Sequence, residues 1–217
     1  MVEPFIKNHQ YNYIKKQIDI LQNATLTVAD PKVMEAVRYG SEAKAIDVFP
    51  NVTDIQKQLL KRISSLKEAE DFQDYLRSLL PYLVEFPQVT EQQIKKLFPK
   101  NKKLKVPDLV TIDYHKVTYL GWINISSNKL FIVYHLKEKI VGIEGKYTIV
   151  NKKNICALCH GHGEVALFSA ISKSRPVNAS SDYYKAVGHY ICINSHECNK
   201  RITDVTPLER FIEDVIG

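Results

Sequence analysis

Four cysteines, Cys156, Cys159, Cys192 and Cys198, are the residues of this chain best suited to chemistry, and all of them lie in its last third. Cys156-Ala157-Leu158-Cys159 sets two thiolates at the spacing of a zinc knuckle, and His160-Gly161-His162-Gly163 follows with glycines that let backbone amides turn toward sulfur. The second pair encloses five residues and stands 32 residues downstream of the first. Clustered thiols in a reducing compartment mean metal more often than disulfides. Four soft ligands in two clusters suit one tetrahedral Zn²⁺, and a shell of four thiolates leaves no open position for a reacting water, so the expected metal is structural. His160, His162 and His196 compete as ligands, and from spacing alone one of them could replace a cysteine.

No other constellation suggests catalysis. The chain has no G-x-x-x-x-G-K-S/T loop, no G-x-G-x-x-G, no H-E-x-x-H and no G-x-S-x-G. His160-Gly161-His162 lacks the downstream acidic ligands of a metal hydrolase. The expectation is a protein that is not an enzyme and has no small-molecule substrate.

The elements that must position the cysteines follow from periodicity. Up to residue 86 the apolar period is helical, and Tyr11, Ile14, Ile18 and Leu21 share one face of a first helix. Asp30 and Pro31 open a second helix as N-cap and first helical residue, Gly40 is expected to close it, and a short third helix runs over 41–48. Asp54 is expected to cap a helix carrying Ile55, Leu59, Ile63 and Leu66, and a further one carries Phe72, Tyr75, Leu76, Leu79 and Leu80 before Pro81. Short connections make an antiparallel bundle the simplest way to bury these stripes. Beyond the joint at Glu85-Phe86-Pro87, Thr90 and Gln93 form a capping box for one more helix. Residues 117–123, 130–136 and 140–150 then read as strands joined by hairpins, and a final helix spans about 207–215. The fold class is α+β: a helical bundle over 1–86, then a zinc-binding α/β domain over 87–217 with antiparallel strands. A β-hairpin in the 32-residue gap and a helix soon after Cys198 would make that zinc module treble-clef-like.

Charge divides along the same line. Residues 1–90 carry 11 Lys and Arg against 12 Asp and Glu, whereas residues 91–217 carry 19 against 12. The basic half therefore faces an acidic partner: RNA, an anionic membrane or an acidic protein. Lys95, Lys96, Lys100, Lys102, Lys103 and Lys105 concentrate that charge, either as a solvated face or as a docking surface. Tyr183, Tyr184 and Tyr190, near the second cysteine pair, are expected to be exposed or to cover the metal loops, because a small zinc module has little interior. No apolar run reaches the ~18 residues of a membrane helix, and the first twenty residues carry charge through an amphipathic pattern. Cytoplasm is the expected address, no membrane partner is expected, and nothing reads as an oligomer surface, so a monomer is expected.

Together these residues resemble the FusB-type fusidic acid resistance family, proteins that bind elongation factor G. The resemblance is carried by His9-Gln10-Tyr11-Asn12-Tyr13-Ile14, Gly121-Trp122, the Cys156 and Cys159 pair, Val165-Ala166-Leu167-Phe168, Gly188-His189-Tyr190-Ile191-Cys192, Cys198-Asn199-Lys200 and Thr203-Asp204, in order along nearly the whole chain. It implies a helical bundle followed by a four-cysteine zinc finger. It also implies a non-enzymatic activity: binding elongation factor G through the zinc domain and driving it from ribosomes on which fusidic acid has trapped it. Carried over by position, the family's partner contacts fall on Tyr190 and Phe211, on Ile155 where the family has a phenylalanine, and on Val187 where it has a lysine that Lys185 could replace. The alternative is a basic, zinc-containing protein that contacts ribosomal RNA directly, with tyrosines stacking on bases.

Overall fold

The structure, a computed structural model, describes residues 2–180 and 182–217 and divides into two compact units, Met1–Val84 and Glu85–Gly217. Among the described residues no helix is long and apolar enough to cross a membrane.

The first unit holds helices α1 (Asn8–Thr27), α2 (Pro31–Asp47), α3 (Asp54–Lys61) and α4 (Ala69–Leu79). Ile14, Ile18 and Leu21 of α1 are buried with Ala45, Leu60, Ile63, Phe72, Tyr75 and Leu79 in one cluster, which is the stripe that their spacing dictates. Asp30 caps α2 by accepting from the Lys32 amide at 2.8 Å, with Pro31 at the first position. That helix does not stop at Gly40. It runs on to Asp47 and fuses two expected helices, because Ser41 and Ala45 bury against the bundle and outweigh the modest cost of a helical glycine. The cap of α3 is Thr53 rather than Asp54: its side chain accepts from Gln56 N at 3.3 Å, and the Gln56 side chain accepts from Thr53 N at 2.9 Å. Pro81 does not end the chain's helical run outright, since α4 passes into a 3₁₀ turn over Leu80–Tyr82. The unit's two ends meet where Phe5 and Ile6 donate to Tyr82 O and Val84 donates to Ile6 O, at 2.9–3.0 Å.

The second unit opens with helix α5 (Glu91–Leu97), boxed by Thr90 and Gln93 as its sequence requires. Five antiparallel strands follow, β1 (Leu120–Asn124), β2 (Lys129–Leu136), β3 (Lys139–Ile149), β6 (Val165–Ile171) and β7 (Ala186–Cys192), in that spatial order. A two-stranded piece, β4 (Asn154–Ile155) with β5 (His162–Gly163), interrupts them. Two helices close the unit, α6 (Ser195–Asn199) and α7 (Thr206–Ile216). The two-residue turn between β2 and β3 puts Lys137 and Glu138 at φ 46° and 62°, the primed geometry that matches strand twist.

Side chains alternate across each strand, so the register assigns the two faces of the sheet. One face carries Ile132, Tyr134, Ile143, Tyr147, Ala166, Phe168 and Ala170, and α7 covers it with Leu208, Phe211, Ile212 and Val215. Over β1–β3 the opposite face has its own cover: Leu120, Phe131 and Val133 bury there with Ile94, Phe98 and Leu104. Gly142 allows that approach, because a Cβ there would stand 2.7 Å from the Phe98 ring. Over β6 and β7 this second face is closed at the metal end, where Val165 pairs with Cys192 and both are buried, and is open beyond it, with Leu167 paired to Tyr190 and Ile171 paired to Ala186.

Candidate metal centre

Each cysteine comes from a different local device. Cys156 and Cys159 lie in the turn joining β4 to β5, Cys192 ends β7, and Cys198 lies in α6. All four are buried, and their sulfurs lie within 4.8 Å of one another. The Cys156–Cys198 and Cys159–Cys192 separations are 3.8 and 3.7 Å. A tetrahedron with Zn–S near 2.3 Å has edges of about 3.8 Å, so the thiols are already spaced for that ion. Among the described residues the metal-capable group consists of these cysteines alone; His160, His162 and His196 are exposed and outside it.

The knuckle is built by backbone. Cys156 N donates to Gly161 O at 3.0 Å and His160 N to Cys156 O at 2.9 Å, while Leu158 N and Cys192 N each point at the Cys156 sulfur at 3.4 Å. The residue that takes positive φ is His160, at 55°, and neither glycine does. Gly161 sits instead where space is tight. A Cβ there would stand 2.9 Å from Arg201 Nη1 and 3.3 Å from the Cys159 sulfur. Without a metal the crowded thiols cannot all ionise: hydrogen bonds from Cys159, Cys192 and Cys198 hold Cys156 far below the ordinary thiol range, and sharing with Cys156 pushes Cys192 and Cys198 far above it. A dication is what lets the whole set deprotonate.

A latch that the spacing of the cysteines does not reveal ties this centre to β1. Asn199, next to the last ligand and buried, accepts from Thr118 N at 2.7 Å and Tyr119 N at 3.1 Å, and donates to Tyr119 O at 2.9 Å. The Tyr119 side chain is buried as well, and its hydroxyl hydrogen-bonds Cys198. Burial, and then the neighbouring Cys198 sulfur, raise the phenol well above its usual range, so it stays a neutral donor. The signal was the Cys-Asn pair itself: a buried asparagine can satisfy several backbone groups at once.

Residues 5–87 match the family model for the N-terminal domain of elongation factor G-binding proteins, and residues 96–213 match the FBP C-terminal treble-clef zinc finger. The chain belongs to the FusB-type family. A solved structure described as that of the fusidic acid resistance protein FusC is similar over 97% of both chains, at 29% identity and a TM-score of 0.80. No curated protein matches the chain. The second unit of this FusB-type chain is thus a treble-clef finger with one structural zinc at the four clustered cysteines.

Of the five positions to which the FusB-type resemblance assigns partner contact, four lie on β4, on the edge strand β7 or just before it. Ile155 is 58% exposed and Tyr190 41%, and Ala157 N donates to Tyr190 O at 2.7 Å, tying the knuckle to β7. Tyr190 shares its face of the strand with Cys192, two residues on. Val187 is half-buried and paired with Ala170 on the α7 side, and Lys185 is exposed, its carbonyl accepting from Ser172 N. Phe211 departs from the expectation of a surface contact. It is 1% exposed, edge-on to Phe168 at 5.5 Å and to His189 of β7 at 4.9 Å, because the α7 stripe needs it inside.

Proposed function

We propose that this protein binds elongation factor G through the zinc unit and promotes its release from ribosomes stalled by fusidic acid, and so confers resistance. The observation that carries the reading is the match of both units, over nearly the whole chain, to elongation factor G-binding and zinc-finger families and to a fusidic acid resistance protein. On this reading the contact surface is the β7 edge beside the metal, with Ile155 and Tyr190 as apolar anchors, Lys185 as the charge, and Val187 at its rim. Phe211 acts as a positioning residue, setting how β7 lies on α7 through His189. Zinc holds the knuckle and β7 in one shape, so the surface is pre-organised before the partner arrives.

Release requires differential affinity. A protein that binds the factor more favourably in a released conformation than in the trapped one shifts the population toward release, and equal affinity for both would shift nothing. No bond is made or broken, and the antibiotic is neither altered nor exported. The protein works in the cytoplasm as a monomer, on the ribosome-bound factor.

Calorimetric titration of the zinc-loaded chain into elongation factor G tests the reading. A one-to-one complex that survives moderate salt and weakens with Tyr190→Ala while zinc is retained is expected. No heat with zinc present would reject it. Translation in vitro with fusidic acid then tests release: rescue by the wild-type chain and none by Tyr190→Ala is the expected pattern.

A further inference from the structure

Away from the metal, residues 98–105 form a second built surface. Two consecutive turns make it: Asn101 N donates to Phe98 O and Leu104 N to Asn101 O, both at 3.0 Å. It is pinned from below. The Phe98 ring stands edge-on to Trp122 at 6.0 Å and to Phe131 at 5.0 Å, Leu104 is buried, and the Trp122 indole donates to Lys105 O at 3.0 Å. The Asn101 amide donates to Glu144, while Lys129 bridges Asn101 at 2.8 Å and Glu144 at 2.7 Å. Glu144, the acid anchored beneath these turns, therefore already has its cation in Lys129.

Lys96, Lys100, Lys102, Lys103 and Lys105 stand on this base, exposed, and none takes part in an ion pair among the described residues; Lys95 differs, being paired with Glu91. Five uncompensated ammonium groups thus fall within ten residues of fixed backbone. The same stretch exposes no large apolar side chain. Protein interfaces concentrate their affinity in buried aromatic, Met and Arg anchors and are depleted in lysine, so this surface offers little to a protein partner. It offers what a phosphate chain takes up: closely spaced point charges whose pairing releases counterions.

We propose that residues 96–105 are an RNA-binding platform that docks the phosphate backbone, separate from the β7 edge. The choice of RNA over an anionic lipid surface rests on the ribosomal setting of the proposed function. Point charges that pair with phosphates carry no sequence information, so the platform binds without sequence preference and serves to hold the protein near ribosomal RNA.

The test uses the full, zinc-loaded, nuclease-treated chain, a fluorescein-labelled 20-nucleotide single-stranded RNA read by anisotropy, and elongation factor G binding measured in parallel. Five phosphate contacts predict a slope of log affinity against log salt of about −3.5, from ~0.7 per contact on single strands. Lys102→Gln with Lys103→Gln is expected to reduce that slope by about 1.4, while Lys61→Gln with Lys67→Gln in the helical unit leaves it unchanged. Trp122 fluorescence, which reports the pinned turns, checks that the variants fold. Absence of RNA binding at about 50 mM salt, where such contacts are strong, overturns the proposal. So does a slope that the platform variant leaves unaltered, or binding to phosphatidylglycerol vesicles without binding to RNA. Loss of elongation factor G affinity in the platform variant, with RNA binding intact, would make the surface a protein interface and also overturn it. RNA binding with no affinity for elongation factor G would leave the platform standing and reject the proposed function instead.

Discussion

The helical unit and the zinc unit close their cores in different ways. In the first, four helices bring Ile14, Ile18, Ala45, Leu60, Phe72 and Tyr75 together in one buried apolar cluster. In the second, α7 and the sheet make a comparable core, but the far end of the sheet is thin: β7 offers Ala186, Gly188 and exposed His189 and Tyr190, and only Ile191 and Cys192 are buried. Metal ligation there replaces apolar area that the chain does not have. The difference teaches why the face beside the metal can stay open: a centre held by four thiolates keeps its shape without a covering layer.

The most direct way to break this contrast is to remove the metal. Cys156→Ser is expected to reduce bound zinc to near zero and to abolish the cooperative thermal transition read by Trp122, the one tryptophan, which belongs to the zinc unit. A wild-type transition without zinc would show that the sheet closes on its core alone. Because Cys192 and Cys198 are held as thiols in the metal-free set, zinc uptake releases protons. Affinity for the ion is therefore expected to fall as pH falls, with proton release measurable by calorimetry in buffers of different ionisation heat.

Core truncation should be about equal in the two units. Phe72→Ala and Phe211→Ala each remove a ring that is 1% exposed, and each is expected to cost about 3–5 kcal/mol in chemical denaturation. They should differ in function, since Phe211→Ala also disturbs β7 and so weakens elongation factor G binding. Unchanged affinity would reject its positioning role. Asn199→Ala strands two buried amides and a carbonyl and should cost about 2–4 kcal/mol, with Asn199→Asp, which keeps the acceptor, costing less. The smallest effects are at the caps: Thr53→Ala and Thr90→Ala should each cost about 1 kcal/mol, alike in both units, because local helix chemistry is the same in each.

Much of this was legible in the sequence, where local rules agree with the fold. The stripe on α1, the Asp30-Pro31 start, the Thr90 box and the strand pattern are short-range signals that tertiary packing does not contradict. Gly40 misled because its cost is small beside the burial of Ser41 and Ala45 on the same helix, and packing of that kind is invisible to a local reading. The four cysteines were legible from spacing, and geometry removed the histidines as rivals by leaving all three exposed. Whether Phe211 is interior was not legible, since an aromatic in an amphipathic helix looks alike whether it meets a partner or its own sheet. The Asn199 latch joins residues about eighty positions apart and leaves no periodic trace.

The spacing of the metal ligands along the chain also governs how the protein is made. The helical unit has all of its core residues once Leu83 has been added, whereas the zinc unit must wait for Cys198 and for Val215 of α7. At roughly 5–20 residues per second, that interval is on the order of ten seconds. Within it, while residues 160–191 are added over on the order of a few seconds, a finished helical unit precedes a nascent segment in which Cys156 and Cys159 are present but their partner thiols are not. Oxidant or a competing soft metal arriving in that window meets a two-thiol site, and the completion of β7 and α6 closes the window by supplying the other two thiols.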